Sequence, residues 1–216
     1  EGGALIVGNS AAFGSAGVEL VNGTLDLNGN TISNTIYVAE GAVVTAKNGT
    51  STGDFVLTNA TSYTADNFRV LADSITMTGD GKTALHFTNL NVEDRTAANY
   101  RGGYLGAASV PLSPMGSIEM NNSEIAKSTS TLYGGLVAAS HIVVSGNGSF
   151  SLQNNNVRVA SGDYIYGGLL YASSFMQMDD NKTILISGNE VESTSYYVTG
   201  GILSASDFRV ENGGRI

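Results

Sequence analysis

The chain has 216 residues, of which 42% are hydrophobic and 13% are charged, so it has enough apolar residues to fill a core, unlike a disordered protein. A formal net charge of −9, without any cluster of Lys or Arg, argues against nucleic acid as a partner. Cysteine is absent, which excludes disulfides and thiolate metal sites. Because the composition does not change along the chain, residues 1–216 are predicted to form a single domain.

Glycine pairs open a series of short segments along the chain. The first is Gly2-Gly3-Ala4-Leu5, and Gly41-Ala42-Val43-Val44 and Phe68-Arg69-Val70-Leu71 look like degraded copies of it. The second half carries four full copies: Gly102-Gly103-Tyr104-Leu105, Gly134-Gly135-Leu136-Val137, Gly167-Gly168-Leu169-Leu170 and Gly200-Gly201-Ile202-Leu203. Successive pairs there lie 32, 33 and 33 residues apart, a regular spacing that indicates a repeat fold.

A second motif lies between these segments: two apolar residues two positions apart, then a third five positions further on. The triplets are Leu25/Leu27/Ile32, Phe55/Leu57/Ser62, Leu85/Phe87/Val92, Ile118/Met120/Ile125, Phe150/Leu152/Val157 and Ile184/Ile186/Val191. Residues two apart point to the same side of a β-strand, so the pairs predict strands with one inward side. Asn and Gly before the third residue, as in Gln153-Asn154-Asn155, predict sharp bends whose amides can stack as a ladder.

Short strands and bends that recur with one period must stack in parallel, since separate hairpins would alternate in direction. We therefore predict an all-β fold, a right-handed parallel β-helix of about six to seven coils of roughly 32 residues each, in a rod of roughly 35 Å. The segments Val157–Tyr166 and Val191–Thr199 are predicted to be loops that leave the coils. The polar segment around Glu93–Tyr100 is too short for a helix, and hairpin signals for a β-propeller are absent.

The alternation of Gly-Gly-aliphatic segments with a Phe-x-x-Asn-like motif resembles the passenger repeats of the polymorphic outer-membrane proteins, a group of autotransporter adhesins. The second motif is carried by Leu27-Asn28-Gly29-Asn30, Leu152-Gln153-Asn154-Asn155 and Ile186-Ser187-Gly188-Asn189, with Leu or Ile where the family usually has Phe. The resemblance covers nearly the whole chain. It implies a virulence-associated passenger domain exposed at an outer membrane, with transport regions beyond Ile216.

No pattern of residues indicates a catalytic centre, a metal site or a cofactor. The densest charged groups, Asp179-Asp180 and Glu93-Asp94-Arg95, are typical of solvated turns, and His86 and His141 lie far apart in the chain. Because many parallel β-helices act on acidic polysaccharides, such a lyase or hydrolase is the alternative function. It would require charged residues that converge in a cleft.

Tyrosines near the glycine pairs are the candidate binding residues. Tyr100, Tyr133, Tyr166 and Tyr197 each precede a pair by one to three positions, and Tyr104, Tyr164, Tyr171 and Tyr196 lie nearby. Stacked coils would bring them together as an aromatic stripe, which would either bind sugars or a protein, or only cover the edge of the coils. Asn-x-Ser/Thr sequons occur at Asn22, Asn48, Asn59, Asn121, Asn147 and Asn181, but a chain this rich in Asn, Ser and Thr produces them by chance.

The sequence thus predicts a rigid, surface-exposed adhesin-like module whose partner is a protein or glycan of a host or neighbouring cell; a plain spacer remains a third possibility. No segment is apolar enough to span a membrane. Because the chain begins at Glu1 and ends just after a glycine pair, we expect a fragment of a longer secreted or cell-surface protein. Any export signal or anchor would then lie outside this fragment.

Overall fold

The fold is built from 24 short β-strands. It is seen in a computed structural model that describes residues 2–95, 98–127, 130–160, 164–194 and 197–210. Within these ranges there is no helix, and every pairing between strands is parallel. The prediction of an all-β parallel β-helix is confirmed.

Sixteen strands form one large sheet, the main sheet, which wraps around the coils. Its strands are β1 (Ala4–Ile6), β2 (Val18–Asp26), β3 (Thr31–Ile32), β4 (Ile36–Ser51), β5 (Phe55–Thr58), β6 (Ser62–Leu71), β7 (Ile75–Thr78), β8 (Ala84–Thr88), β11 (Leu105–Gly106), β12 (Ser109–Leu112), β13 (Ser117–Asn121), β16 (Val137–Val144), β17 (Ser149–Gln153), β20 (Leu170–Gln177), β21 (Ile184–Ser187) and β24 (Leu203–Arg209). The second sheet comprises β9 (Asn91–Asp94), β14 (Glu124–Lys127), β18 (Asn156–Val159) and β22 (Glu190–Ser193). The third sheet comprises β10 (Tyr100–Arg101), β15 (Leu132–Tyr133), β19 (Tyr164–Tyr166) and β23 (Tyr197–Thr199).

One column of paired residues runs along the rod, and each coil contributes one residue to it. Its members are Leu5, Leu25, Ala46, Ala65, Phe87, Met120, Leu152 and Ile186. From Leu25 to Leu152 these side chains are buried. At about 4.8 Å per level the column is about 34 Å long. Apolar residues stacked in this way form one continuous core inside the coils.

The coils have two lengths, which differs from the predicted uniform repeat. Up to Phe87, the steps between residues of this column are 19 to 22 residues long, whereas the later steps are 32 to 34 residues long. The apolar triplets of the second half stack on one another as predicted. Phe55 and Leu57 instead pair with Ile36 and Val38, away from the column that contains Leu25. The predicted period was wrong in the first half because every inward-facing strand shows the same apolar alternation, whichever side of the coil it forms.

The coil widens at β6, whose two halves pair with different strands. Its first half pairs with β8, whereas Val70 pairs with Leu105 in β11. Between β8 and β11 the chain adds a strand to the second sheet and another to the third, so these two sheets exist only in the long coils. The sequence motif predicts that the segment from Phe68 to Leu71 matches the segment from Gly102 to Leu105, which would place Leu71 beside Leu105. Val70 pairs with Leu105 instead, so the predicted alignment is wrong by one residue.

The extra residues of each long coil are mostly strand, which corrects the prediction of protruding loops. Within the predicted loop Val157–Tyr166 the chain forms the end of β18 and the whole of β19, and residues 161–163 lie outside the described ranges. Within Val191–Thr199 it likewise forms most of β22 and the whole of β23, and residues 195–196 lie outside the described ranges. A strand must contribute to the core on alternate positions, and Val157, Val159 and Ile165 are buried accordingly.

The bends are stabilised as the sequence predicts. Asn89, Asn122 and Asn154 adopt φ values of 54°, 56° and 54°, in the left-handed region that Asn tolerates. Inside the bend that follows, the Asn155 Nδ2 group donates to the Asn189 Oδ1 atom at 2.9 Å, as one step of an amide ladder. Such a ladder satisfies buried backbone groups and ties together the coils that it joins.

Candidate functional site

The third sheet determines which tyrosines reach the surface. Its strands place one column of residues inward and the next column outward. The inward column is Tyr100, Leu132, Ile165 and Val198, and the outward column is Arg101, Tyr133, Tyr166 and Thr199. Tyr164 and Tyr197 pair with each other and lie two residues before Tyr166 and Thr199, so they also point outward. Arginine and tyrosine therefore share one flank of the rod.

These outward tyrosines form a continuous stack. The ring centroids of Tyr133 and Tyr166 lie 5.2 Å apart with an interplanar angle of 6°, and those of Tyr164 and Tyr197 lie 5.3 Å apart at 13°. Tyr164 and Tyr166 are also stacked, at 5.8 Å. Tyr171, from β20 of the main sheet, packs against Tyr133 at 5.0 Å with its ring tilted by 55°. The predicted stripe therefore exists for Tyr133, Tyr166 and Tyr197.

Tyr100 does not belong to this stripe. Its side chain is only 3% exposed, and burial raises its pKa to about 12. The reason is strand parity: Tyr133 and Tyr166 stand one position before their glycine pairs and point outward, whereas Tyr100 stands two positions before Gly102 and points inward. Tyr104 is also in the core, where its hydroxyl hydrogen-bonds to the Ser123 hydroxyl at 2.7 Å. Tyr196 lies outside the described residues.

Arg101 takes the place in the stack that was predicted for Tyr100. Its Cζ atom lies 4.7 Å from the centroid of the Tyr133 ring, within the range of a cation–π interaction. Arg69, in β6, lies over the Tyr100 ring at 5.2 Å, and its Nε atom donates to the Gly103 carbonyl at 3.1 Å. An odd distance to the glycine pair would have predicted that Arg101 points outward, since Arg101 immediately precedes a glycine pair, as Tyr133 does.

Between the third and the main sheet lies an open groove of about 640 Å³. Each strand of the third sheet ends at a glycine, such as Gly134 with φ of 58°, which turns the chain into the main sheet. A side chain there would overlap the Val137 carbonyl oxygen, so only glycine permits this turn. Small residues line part of the groove: Gly106, Ala107, Ala108, Ala138, Ala139, Ser140 and Ser173. The larger residues around it are Arg69, Arg101, Tyr171, Asp73, Asp94, Asn99, Tyr100 and Leu71.

A second cavity, of about 730 Å³, lies beside the second sheet. Lys127 is buried there and forms an ion pair with Asp94 at 3.1 Å. On the outward side of the same sheet, Arg158 bonds to Glu192 at 3.0 Å and approaches Glu124 at 4.0 Å. The charges at this cavity are thus largely engaged with one another.

The remaining polar candidates do not form a site together. His86 lies beside Glu119, with 3.3 Å between Nδ1 and Oε2, on a different face from the tyrosines, and His141 is in β16. Asp179 is buried and accepts a hydrogen bond from Gln177, two residues earlier. In the part of the chain that the structure describes, no three His, Asp or Glu side chains are close enough to hold a metal ion.

Two of the sequons have a structural role. Asn147 and Asn181 are buried, and the Asn147 Nδ2 group donates to the Asn181 Oδ1 atom at 2.7 Å. The Asn147 Oδ1 atom accepts from the Met115 backbone N–H, also at 2.7 Å. In the folded rod these two amides are therefore part of a ladder and are not accessible for glycosylation.

Comparison with known proteins adds no relative. The chain matches no protein-family model, no curated protein and no solved structure. Its resemblance to autotransporter passenger repeats therefore stays a prediction from the sequence. In the described ranges no helix is long and apolar enough to cross a membrane.

Proposed function

We propose that this protein is a surface-displayed binding module in which a rigid β-helical rod presents a glycan-binding groove. The observation that carries this proposal is the groove itself, which is lined by small residues and by Tyr171, whose ring packs against the stacked tyrosines at Tyr133. The groove spans several coils, so an extended ligand would lie across successive levels of the rod.

The tyrosines offer a particular kind of contact. The ring of Tyr133 is covered by Arg101 on one face and packs against Tyr166, so little of its face is free for a sugar. The tilted ring and the hydroxyl of Tyr171, which lines the groove, would make the contacts instead. Tyrosine combines an apolar body with a polar tip, which suits the mixed surface of a sugar.

Rigidity supports a role in display. The core is continuous across the coils, and amide ladders such as Asn155 to Asn189 tie neighbouring levels together. A binding surface on such a rod is preorganised, because little side-chain or backbone freedom is lost when a ligand binds. Display at an outer membrane, as in an autotransporter adhesin, is the part of the proposal that rests on the sequence resemblance.

The proposal is tested by measuring binding of the purified chain to a glycan array and to whole cells. We expect Tyr171→Ala to reduce binding about 5- to 30-fold, since an aromatic contact contributes on the order of 1–2 kcal/mol. Tyr37→Ala is the matched control, because Tyr37 is 46% exposed in β4, which belongs to the narrow coils. Equal binding by both variants and the unchanged protein, with circular dichroism unaltered, would refute the groove as the binding surface.

A polysaccharide-active enzyme is the second candidate, because the same groove contains carboxylates. Asp73 and Asp94 both line it, together with two arginines. A glycosidase uses two carboxyl groups, one as acid and one as base or nucleophile. Depolymerisation of a polysaccharide by the unchanged chain, and its loss in Asp73→Asn, would favour the enzyme; intact polymer after prolonged incubation would leave the binding module.

A further inference from the structure

Two arginines in the groove lack the carboxylate partners that the other described arginines have. Among the described residues, the guanidinium groups of Arg95, Arg158 and Arg209 each bond to a neighbouring carboxylate. Arg69 and Arg101 form no ion pair in this part of the chain, and both line the same groove. In a protein with 19 acidic and 10 basic residues, two such arginines lining one groove require an explanation.

Both guanidinium groups are held in place by aromatic rings. The Arg101 Cζ atom lies 4.7 Å from the Tyr133 centroid, and the Arg69 Cζ atom lies 5.2 Å from the Tyr100 centroid. Stacking uses the face of a guanidinium and leaves the N–H donors at its edge available. Arg69 directs two of these edge donors to the carbonyls of Gly103 and Gly102, at 3.1 and 3.4 Å, which fixes its orientation further.

Carboxylate is the ligand chemistry that such donors recognise. A guanidinium edge binds a carboxylate through two parallel N–H bonds, which are stronger than bonds between neutral groups. We infer that the groove binds a glycan that carries carboxylate groups, with a carboxylate at the guanidinium edge of Arg101, a second positive charge supplied by Arg69, and neutral sugar units beside Tyr171, Ser140 and Ser173. This inference rests on the proposed function, since it names the class of glycan that the groove takes.

The other charges around the groove limit how acidic the ligand can be. Asp73 lines the groove, and so does Asp94, whose carboxylate already pairs with Lys127. Together with the net charge of −9, these groups repel a densely charged polyanion. A glycan in which acidic and neutral units alternate satisfies the arginines without this repulsion. An acidic peptide would satisfy them too, but it would form fewer hydrogen bonds with the Tyr171 hydroxyl and the small polar residues of the groove.

The experiment compares acidic glycans with their neutral counterparts on the intact chain. The probes are a hyaluronan octasaccharide, an alginate octasaccharide and a sialylated milk trisaccharide, each paired with its carboxyl-reduced form, in isothermal titration calorimetry. We expect the hyaluronan octasaccharide or the sialylated trisaccharide to bind about 10- to 100-fold more tightly than its reduced form, as one charge-assisted bidentate contact provides, and alginate, which is charged at every unit, to bind more weakly. Affinity should fall as salt is raised.

Variants then locate the carboxylate. Arg101→Gln should bring the acidic glycan to the affinity of its reduced form, while binding of neutral glycans stays unchanged. Arg158→Gln is the matched control, because it removes an exposed arginine that lies outside the groove and pairs with Glu192. Arg101 itself is exposed, so its loss should leave the circular dichroism and the melting temperature unchanged.

The outcomes separate the two levels of the proposal. If acidic and reduced glycans bind equally, or if Arg101→Gln has no effect, the carboxylate assignment is wrong and the glycan-binding function stands. If no glycan of either kind binds, the proposed function fails as well. A poly-glutamate peptide that binds in the groove as tightly as the best glycan, with the same loss in Arg101→Gln, would replace the glycan by a protein partner.

Discussion

Replacing Asn155 by alanine should disrupt the amide ladder at one level of the rod. The Asn155 side chain is buried and makes three hydrogen bonds: Oδ1 accepts from the Ser123 backbone N–H at 3.2 Å, and Nδ2 donates to the Met120 carbonyl and to Asn189 Oδ1, both at 2.9 Å. Alanine removes the acceptor of the Ser123 N–H and a donor to the Met120 carbonyl. Each such loss costs about 1–3 kcal/mol, so the total should be about 2–6 kcal/mol.

Two measurements check this value. Urea denaturation gives the change in the free energy of unfolding, and amide hydrogen exchange at Ser123 reports whether the loss is local, as expected in a fold whose coils contact only their neighbours. Gln153→Ala is the control, because its side chain makes only an exposed bond to Ser187 at 3.2 Å. A cost within about 0.5 kcal/mol of that control, or unchanged exchange at Ser123, would show that the ladder does not hold the coils in register.

Two further predictions concern the turn and the buried phenols. Gly134→Ala should destabilise the rod by at least about 2 kcal/mol in thermal or urea unfolding, because it combines a left-handed φ with overlap on the Val137 carbonyl, whereas Gly201→Ala, with open space around it, should cost less than about 0.5 kcal/mol. Burial raises the pKa of Tyr100 and of Tyr104 to about 12 from 10.0, so the folded state retains protons that the unfolded state releases. Stability should therefore be fully present below pH 10 and fall by up to about 1.4 kcal/mol per pH unit for each tyrosine as pH rises towards 12, which melting curves and phenolate absorbance would detect; a flat profile would contradict it.

The second half of the fold could be predicted from the sequence because glycine and asparagine mark the turns of its repeat. Glycine at the turn of each long coil and Asn or Gly at each bend recur with constant spacing, since these residues adopt left-handed backbone angles at the lowest cost. The first half lacks the glycine turn. In the short coil, Asn67 alone occupies the position that two residues occupy in the next, long coil. The pairing of β6 with β8 aligns Asn67 with Asn89, and the pairing of β6 with β11 aligns it with Gly102. All three have left-handed φ, of 51°, 54° and 58°.

The candidate site was predictable in outline but not in its details. Proximity to the glycine pairs identified the tyrosine flank, whereas membership depends on whether the distance to the pair is odd or even, which separates Tyr133 from Tyr100. Arg69 could not be found in this way, because it enters the groove from the coil below, through a pairing that only the widening at β6 creates. The identity of the groove as a concave surface likewise depends on two sheets that meet in space.

The change of coil length divides the rod into a part made of short coils and a part that carries the groove. The groove begins at β6, about three levels or roughly 14 Å from the first strand, and every level before it is a short coil. A short coil contacts only its neighbours, so the gain or loss of one would shift the groove by about 4.8 Å along the axis and leave its lining intact. Reach and recognition can thus change independently: duplication of about twenty residues alters the distance to a target surface, while single substitutions at the arginines and tyrosines alter what is bound there.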